Sequence, residues 1–195
     1  ISDDYLVFLE KRWTAMFNEL QKRIEWKHKE GKAEEKIKEL IIAWENEILE
    51  MKSTLRFDIK EWIVNKKLEY VIAKTISAFL NTDGGTLIIG VDDEGNTLWL
   101  EKDFQTLSKQ DIDWFELHLR QVIKKYLGEY FEKYIKVSFP KVDEKEICLI
   151  QISKSGKPVF IISEGVEWFF VRNGNSSIPK NRQEQSEYEK IHWSM

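Results

Sequence analysis

The sequence predicts an α+β domain: a mixed, mostly antiparallel sheet flanked by helices and preceded by an N-terminal helical hairpin. Three observations predict it. Apolar residues recur at helical spacing before residue 45, two more helix-length stretches follow, and the last third breaks into short apolar runs separated by turn residues. With 195 residues, 42% hydrophobic and 33% charged, the chain can hold one core and a small appendage. The expected division is a hairpin over 1–44 and the α+β domain over 45–195.

Leu6, Leu9, Trp13, Met16 and Leu20 follow a 3-4-3-4 rhythm and fall on one helical stripe. Ser2 is placed to cap this helix, with Asp3 and Asp4 in its first turn, where the dipole favours them. Gly31 is expected to break the run, and Ala33, Ile37, Leu40, Ile41 and Trp44 then form a second amphipathic stretch. The pair reads as a helical hairpin that either packs on the main domain or serves a partner or a second copy of the chain.

From residue 48 the texture changes. Leu49 and Met51 alternate with Glu50 and Lys52, a strand pattern that sends Met51 to the core and puts Glu50 and Lys52 on one face. Residues 67–80 return to helix, with Leu68, Val71, Ile72, Ile76 and Phe79 on one face; "TLIIGVDD" is a buried strand and "DEGN" a turn at Gly95. Ser108 with Asp111 resembles a capping box ahead of a helix whose core face is Ile112, Phe115, Leu119, Val122, Ile123 and Tyr126, ended by Gly128. The strands "YIKVSF", "EICLIQIS", "KPVFII" and "EWFFVR" complete the chain, with turns at 143–145 and 164–165.

A net charge of −4 argues against binding nucleic acid by bulk charge, although 30 Lys and Arg leave room for a local basic patch. No stretch approaches the roughly 20 apolar residues of a membrane span, no signal-peptide pattern opens the chain, and Cys148 is the sole cysteine. A cytoplasmic location without membrane contact is expected. The first residue is Ile, so a piece of a longer chain with missing domains is also expected.

"FLNTDGGTLIIGVDDEGN" invites a phosphate-loop reading, but such a loop follows a strand and opens a helix. Here a helix precedes the glycines and a strand follows, so Gly84 and Gly85 read as a helix stop and tight turn. The acids of "VDDEG" are either a solvated turn or one wall of a metal site. Glu50 and Lys52, two residues apart on one strand face, either form a surface ion pair or suit metal-assisted phosphodiester chemistry.

Together, "ENEILEMKSTL", "LEYVIAKTISAFLNTDGGTLIIGVDDEG", "GKPVF" and "EWFFVRNGNSS" resemble the Schlafen-type, or AlbA-like DNA-binding, domain over about residues 45–178. The resemblance implies nucleic-acid binding, often within larger regulatory or defence proteins of bacteria. In animal Schlafens and some bacterial relatives it implies a metal-dependent endoribonuclease acting on tRNA-like RNA. On that pattern Glu45, Glu50 and Asp93 would be catalytic carboxylates holding Mg²⁺ or Mn²⁺, with Lys52 beside the scissile phosphate. No zinc is expected, since the Schlafen ligands cannot exist with one Cys. This chain has Met51 where the family has Phe, and Trp44 and Asn46 around its first Glu, so Glu45 could still lie on a helix and point away. Animal Schlafens use two such lobes, so a homodimer would be needed to embrace a folded RNA; RNA is favoured over DNA.

Candidate phosphate contacts are Lys52, Arg56, Lys60, Lys66, Lys67, Lys154, Lys157 and Arg172. Arg172 either holds an anion with "NGNSS" or pairs with a carboxylate such as Asp92. Trp168, Phe169 and Phe170 offer stacking, but adjacent aromatics on a strand include a core residue on each face. Three readings follow: a nuclease, a non-catalytic nucleic-acid-binding module, and an assembly protein driven by the N-terminal helices.

Overall fold

The computed structural model describes residues 3–98 and 100–193, with the side chains of 3–10 and 26–30 excepted. Ser2, the expected first cap, and the side chains of Leu6 and Leu9 lie outside the described residues. By contacts the chain divides into residues 1–39 and 40–195, and each unit is described by itself.

The expected helical hairpin is instead one helix, α1, running Asp3–Ile42 straight through Gly31. A helical glycine costs about 1 kcal/mol relative to alanine, and the Lys- and Glu-rich stretch after it propagates the helix regardless. Along the first unit Trp13, Met16, Phe17, Leu20 and Ile24 are all exposed. Glu19 and Arg23 pair across one turn at 2.8 Å.

The second unit is α+β, as the sequence predicts. Its four-stranded sheet has the order β1-β4-β8-β5, where β1 is Leu49–Lys52, β4 Gly85–Ile89, β5 Ile135–Ser138 and β8 Cys148–Ile152. Only β1 and β4 run parallel, with Glu50 opposite Leu87 and Lys52 opposite Ile89; the other pairs are antiparallel. A second, antiparallel sheet has β10 (Val166–Asn173) between β9 (Phe160–Ser163) and β11 (Ser176–Pro179). Two small hairpins, β2 (Phe57–Asp58) with β3 (Ile63–Val64) and β6 (Lys141–Val142) with β7 (Lys145–Glu146), complete the strands.

The parallel β1–β4 pair requires a crossover, and α2 (Lys66–Leu80) supplies it. Its Ile72, Ala73, Ile76, Phe79 and Leu80 are buried in one core with Leu87 and Ile89 of β4, Ile150 of β8 and Phe170 of β10. Phe115, Leu119, Val122 and Ile123 of α4 (Ile112–Leu127) enter the same core. Its cap is Asp111, not Ser108: the Asp111 carboxylate accepts from the Trp114 amide at 2.9 Å, and the helix begins one residue later. Between these helices lies the short α3 (Glu101–Phe104), and α5 (Arg182–His192) closes the chain with an Asn181/Glu184 capping box.

The turn from α2 to β4 is set by close approach. Gly84 sits at φ +85°, and a Cβ there would lie 2.5 Å from the carbonyl oxygen of Ile152; one on Gly85 would run into the Phe79 ring. The glycines therefore seat a turn against β8 and do not cradle a phosphate. Just before them Asn81 is fully buried. Its amide donates to the carbonyls of Val159 at 2.8 Å and Phe170 at 2.9 Å, and its side-chain oxygen accepts from the Val159 amide at 2.8 Å. Tyr188 of α5 donates to the Asn81 carbonyl at 2.8 Å.

Asn81 is thus the joint between α2, the start of β9 and β10. An Asn81→Asp substitution keeps one acceptor, loses both donations and sets a carboxylate against two carbonyls. It is expected to lower stability by at least about 3 kcal/mol in urea unfolding.

Candidate functional site

The site predicted around Glu45, Glu50 and Lys52 begins where α1 stops. The helix ends at Ile42, and Trp44 takes a positive φ of 60°. Glu45 is therefore outside the helix and folds back, accepting the Met51 amide at 2.9 Å. Period-two alternation then buries Leu49 and Met51 on one face of β1 and directs Glu50 and Lys52 to the other.

Glu50 is itself buried, because Arg172 of β10 reaches it. Arg172 Nη1 donates to Glu50 Oε2 at 2.8 Å and Nη2 to the Asn46 carbonyl at 2.7 Å. The Arg172 guanidinium lies over Phe79, with Cζ 4.7 Å from the ring centroid, and its buried Nε has no hydrogen-bond partner. Its backbone amide donates to Thr82 Oγ1 at 3.0 Å. On the solvent side Lys52 Nζ lies 2.5 Å from Glu50 Oε1 and 3.7 Å from Glu45 Oε1. Two carboxylates and two cations thus balance within one cluster.

This geometry bears on the ion that the family resemblance implies. Both oxygens of Glu50 are engaged by cations, and one Glu45 oxygen is engaged by an amide. Asp93 is exposed in the turn after β4, and among the described residues no three His, Cys, Asp or Glu side chains are grouped to hold a metal. As placed, the donor set does not fit Mg²⁺ or Mn²⁺. Asp92 is no partner of Arg172 either: its carboxylate accepts the amides of Glu94 at 3.1 Å and Asn96 at 2.8 Å within its own turn. The turn does sit at the Lys52 end of β1, since Gly90 and Val91 both donate to the Lys52 carbonyl, at 2.8 and 3.3 Å.

The predicted phosphate contacts divide sharply. Arg172 has a side-chain exposure of 1% and presents nothing to solvent, which corrects its assignment as a nucleic-acid contact. Arg56 faces Glu69 at 3.2 Å, and Lys154 faces Asp83 at 3.7 Å. Lys157 lies instead against the Tyr130 ring, while Lys60, Lys66 and Lys67 are exposed. Of the three aromatics, Phe169 and Phe170 are buried on opposite faces of β10, and Trp168 is 42% exposed, stacked on Phe170.

Sequence reasoning missed two acids. Asp103 of α3 is buried and accepts three consecutive amides, from Leu55 at 2.7 Å and from Arg56 and Phe57 at 2.9 Å. Burial nevertheless pushes its carboxyl above the ordinary value against those amides. Glu69 meets Arg56 and His118, the latter at 2.9 Å. Burial opposes its ionisation, but His118, Arg56 and Lys125 outweigh burial and leave the carboxyl below its ordinary value. No motif marks either residue, and only an acid on a helix opposite a basic loop hints at Glu69.

The two sheets joined by the buried ion pair, with helices packed against them, define an α+β domain. The chain belongs to the Schlafen, AlbA_2 family, whose sequence pattern matches residues 21–181. No curated protein matches. The crystal structure of the DIP2311 protein from Corynebacterium diphtheriae is similar at TM-score 0.52 and 20% identity, over 76% of this chain. This chain spans only 25% of that protein. The solution structure of the N-terminal domain of a RecG-related protein from Nitrosomonas europaea aligns at TM-score 0.47 and 19% identity, over 74% of this chain and 90% of that one.

Removing Arg172 leaves Glu50 buried beside a single cation. Arg172→Met is expected to destabilise by about 3–5 kcal/mol in denaturant titration, and adding Glu50→Leu to recover much of that loss. Glu69, with its lowered carboxyl, contributes stability above the unfolded carboxylate pKa and loses it as pH falls through its own. The stability difference between wild type and Glu69→Gln is therefore expected to be full near neutrality and to vanish in acid, as read by unfolding curves at several pH values.

Proposed function

We propose that this domain binds nucleic acid as a non-catalytic module, and that the β2–β3 hairpin with the start of α2 forms the contact surface. The observation that carries this reading is the hairpin's composition. Ile59, Trp62, Ile63 and Val64 are all exposed, Trp62 at 62% and with Lys102 Nζ 4.4 Å from its ring centroid. Lys60, Lys66 and Lys67 stand exposed around them, against one exposed acid, Glu61. Asp58 holds the hairpin's shape by accepting the Lys60 and Glu61 amides at 3.1 Å each, and Asn65 at 3.1 Å; the Asn65 bond first, and then these amides, hold its carboxyl below the ordinary value. An exposed indole can stack on a base for about 1–3 kcal/mol, and lysines beside it supply salt-sensitive phosphate contacts. The positive end of α2 adds to the same field.

Membership of the family supports binding, and the occupied carboxylate of Glu50 favours a module without cleavage. The resemblance further supports RNA over DNA and a place within a longer regulatory or defence protein. One observation keeps an endoribonuclease as a second reading: Glu45 and Glu50 share Lys52, and the turn bearing Asp93 leaves β4 at the Lys52 end.

The test is incubation with tRNA and with single-stranded DNA, in Mn²⁺ or in EDTA, beside Asp93→Ala. Salt-sensitive retention without cleavage products is expected, weakened by Trp62→Ala combined with Lys66→Gln and Lys67→Gln. Products formed in Mn²⁺, absent in EDTA and lost in Asp93→Ala would establish the nuclease instead.

A further inference from the structure

A second cationic feature lies away from both the hairpin and the Glu50 cluster. The 3-10 segment Glu129–Tyr134 leads into β5, the edge strand of the four-stranded sheet. Tyr130 of this segment is 49% exposed, and two ammonium groups rest on its ring: Lys157 Nζ at 3.8 Å and Lys133 Nζ at 4.1 Å from the centroid. Lys133 also lies 5.0 Å from the Tyr134 centroid, and Lys157 5.6 Å from that of Phe131. Neither lysine has a carboxylate partner among the described residues, in contrast to Lys52, Arg56, Lys154 and Arg172.

The arrangement is built from distant parts of the chain. Lys157 arrives on the loop after β8, which is fastened to the 3-10 segment at two points and braced once within itself. Ser153 donates to the Tyr134 carbonyl at 2.9 Å, Gly156 donates to the Tyr134 hydroxyl at 3.3 Å, and the Ser155 hydroxyl donates to the Lys157 carbonyl at 2.7 Å. A Cβ on Gly156 would crowd the Tyr134 hydroxyl at 3.3 Å, so the small residue lets the loop come this close. Gathering two like charges on one side chain is unfavourable for the isolated protein, and the ring quadrupole offsets part of it. An anion contacted by both would offset more of it.

We infer that Lys133 and Lys157, held on Tyr130, form a two-ammonium contact for the phosphodiester backbone of a nucleic-acid strand passing the β5 edge. The inference rests on the nucleic-acid reading and gives the domain a second contact, separate from the hairpin. Tyr130 acts here as a positioning residue: it aims the two lysines and keeps their chains from wandering.

The test measures anisotropy of fluorescein-labelled poly(dT) and of labelled tRNA over a salt series with the full chain. Lys133→Gln/Lys157→Gln is expected to weaken poly(dT) binding about tenfold and to flatten the slope of log affinity against log salt by about 1.4, the equivalent of two phosphates. Lys133→Arg/Lys157→Arg and Tyr130→Phe are expected to bind as wild type, and Tyr130→Leu to lose affinity with both lysines still present. Thermal unfolding of each variant separates loss of binding from loss of fold. If wild type binds and the Gln pair matches it in affinity and slope, the two-ammonium contact is overturned while the hairpin reading stands. If wild type binds neither probe, the nucleic-acid reading itself falls.

Discussion

Burial of one guanidinium governs this domain. Arg172 enters the interior from the central strand of one sheet and finds Glu50 on the edge strand of the other. An unpaired charge at such a depth is very unfavourable, so the position of β1, the path of Asn46 and the ring of Phe79 must all conform to the fork of its nitrogens. Lys52 then lies over the outer oxygen of Glu50. What looks in one dimension like a row of reactive groups is, in three, a staple between sheets.

Much of this was readable residue by residue. The alternation in Leu49–Lys52, the face of α2, the opposed burial of Phe169 and Phe170, and the glycine turn all follow from local periodicity or backbone sterics, and the structure bears them out. Local rules failed where two signals competed. Gly31 was outweighed by the helix formers around it, and Asp111 took the capping role that Ser108 could also have filled. Partners distant in sequence were not legible at all. Nothing near Arg172 says that its carboxylate lies 122 positions away, and nothing near Asp103 announces three amides some 46 to 48 positions earlier.

The basic side chains fall into two populations. Arg56, Lys154 and Arg172 are matched to acids, and their charge is spent on holding elements together. Lys60, Lys66 and Lys67 stand exposed about a hairpin, and Lys133 and Lys157 rest on an aromatic ring. A chain of net charge −4 can therefore still present positive surface locally.

The long reach of the staple also sets an order of events during synthesis. Glu50 leaves the ribosome well over a hundred residues before Arg172, and Asn81 waits 78 residues for Val159. Contacts of such separation form slowly, because a large loop must close before any is rewarded. Until β10 emerges, the nascent chain carries a carboxylate strand with no counter-ion beneath it and an amide that lacks the second of its two carbonyls. The staple of the second unit therefore closes late, once its penultimate strand is in place.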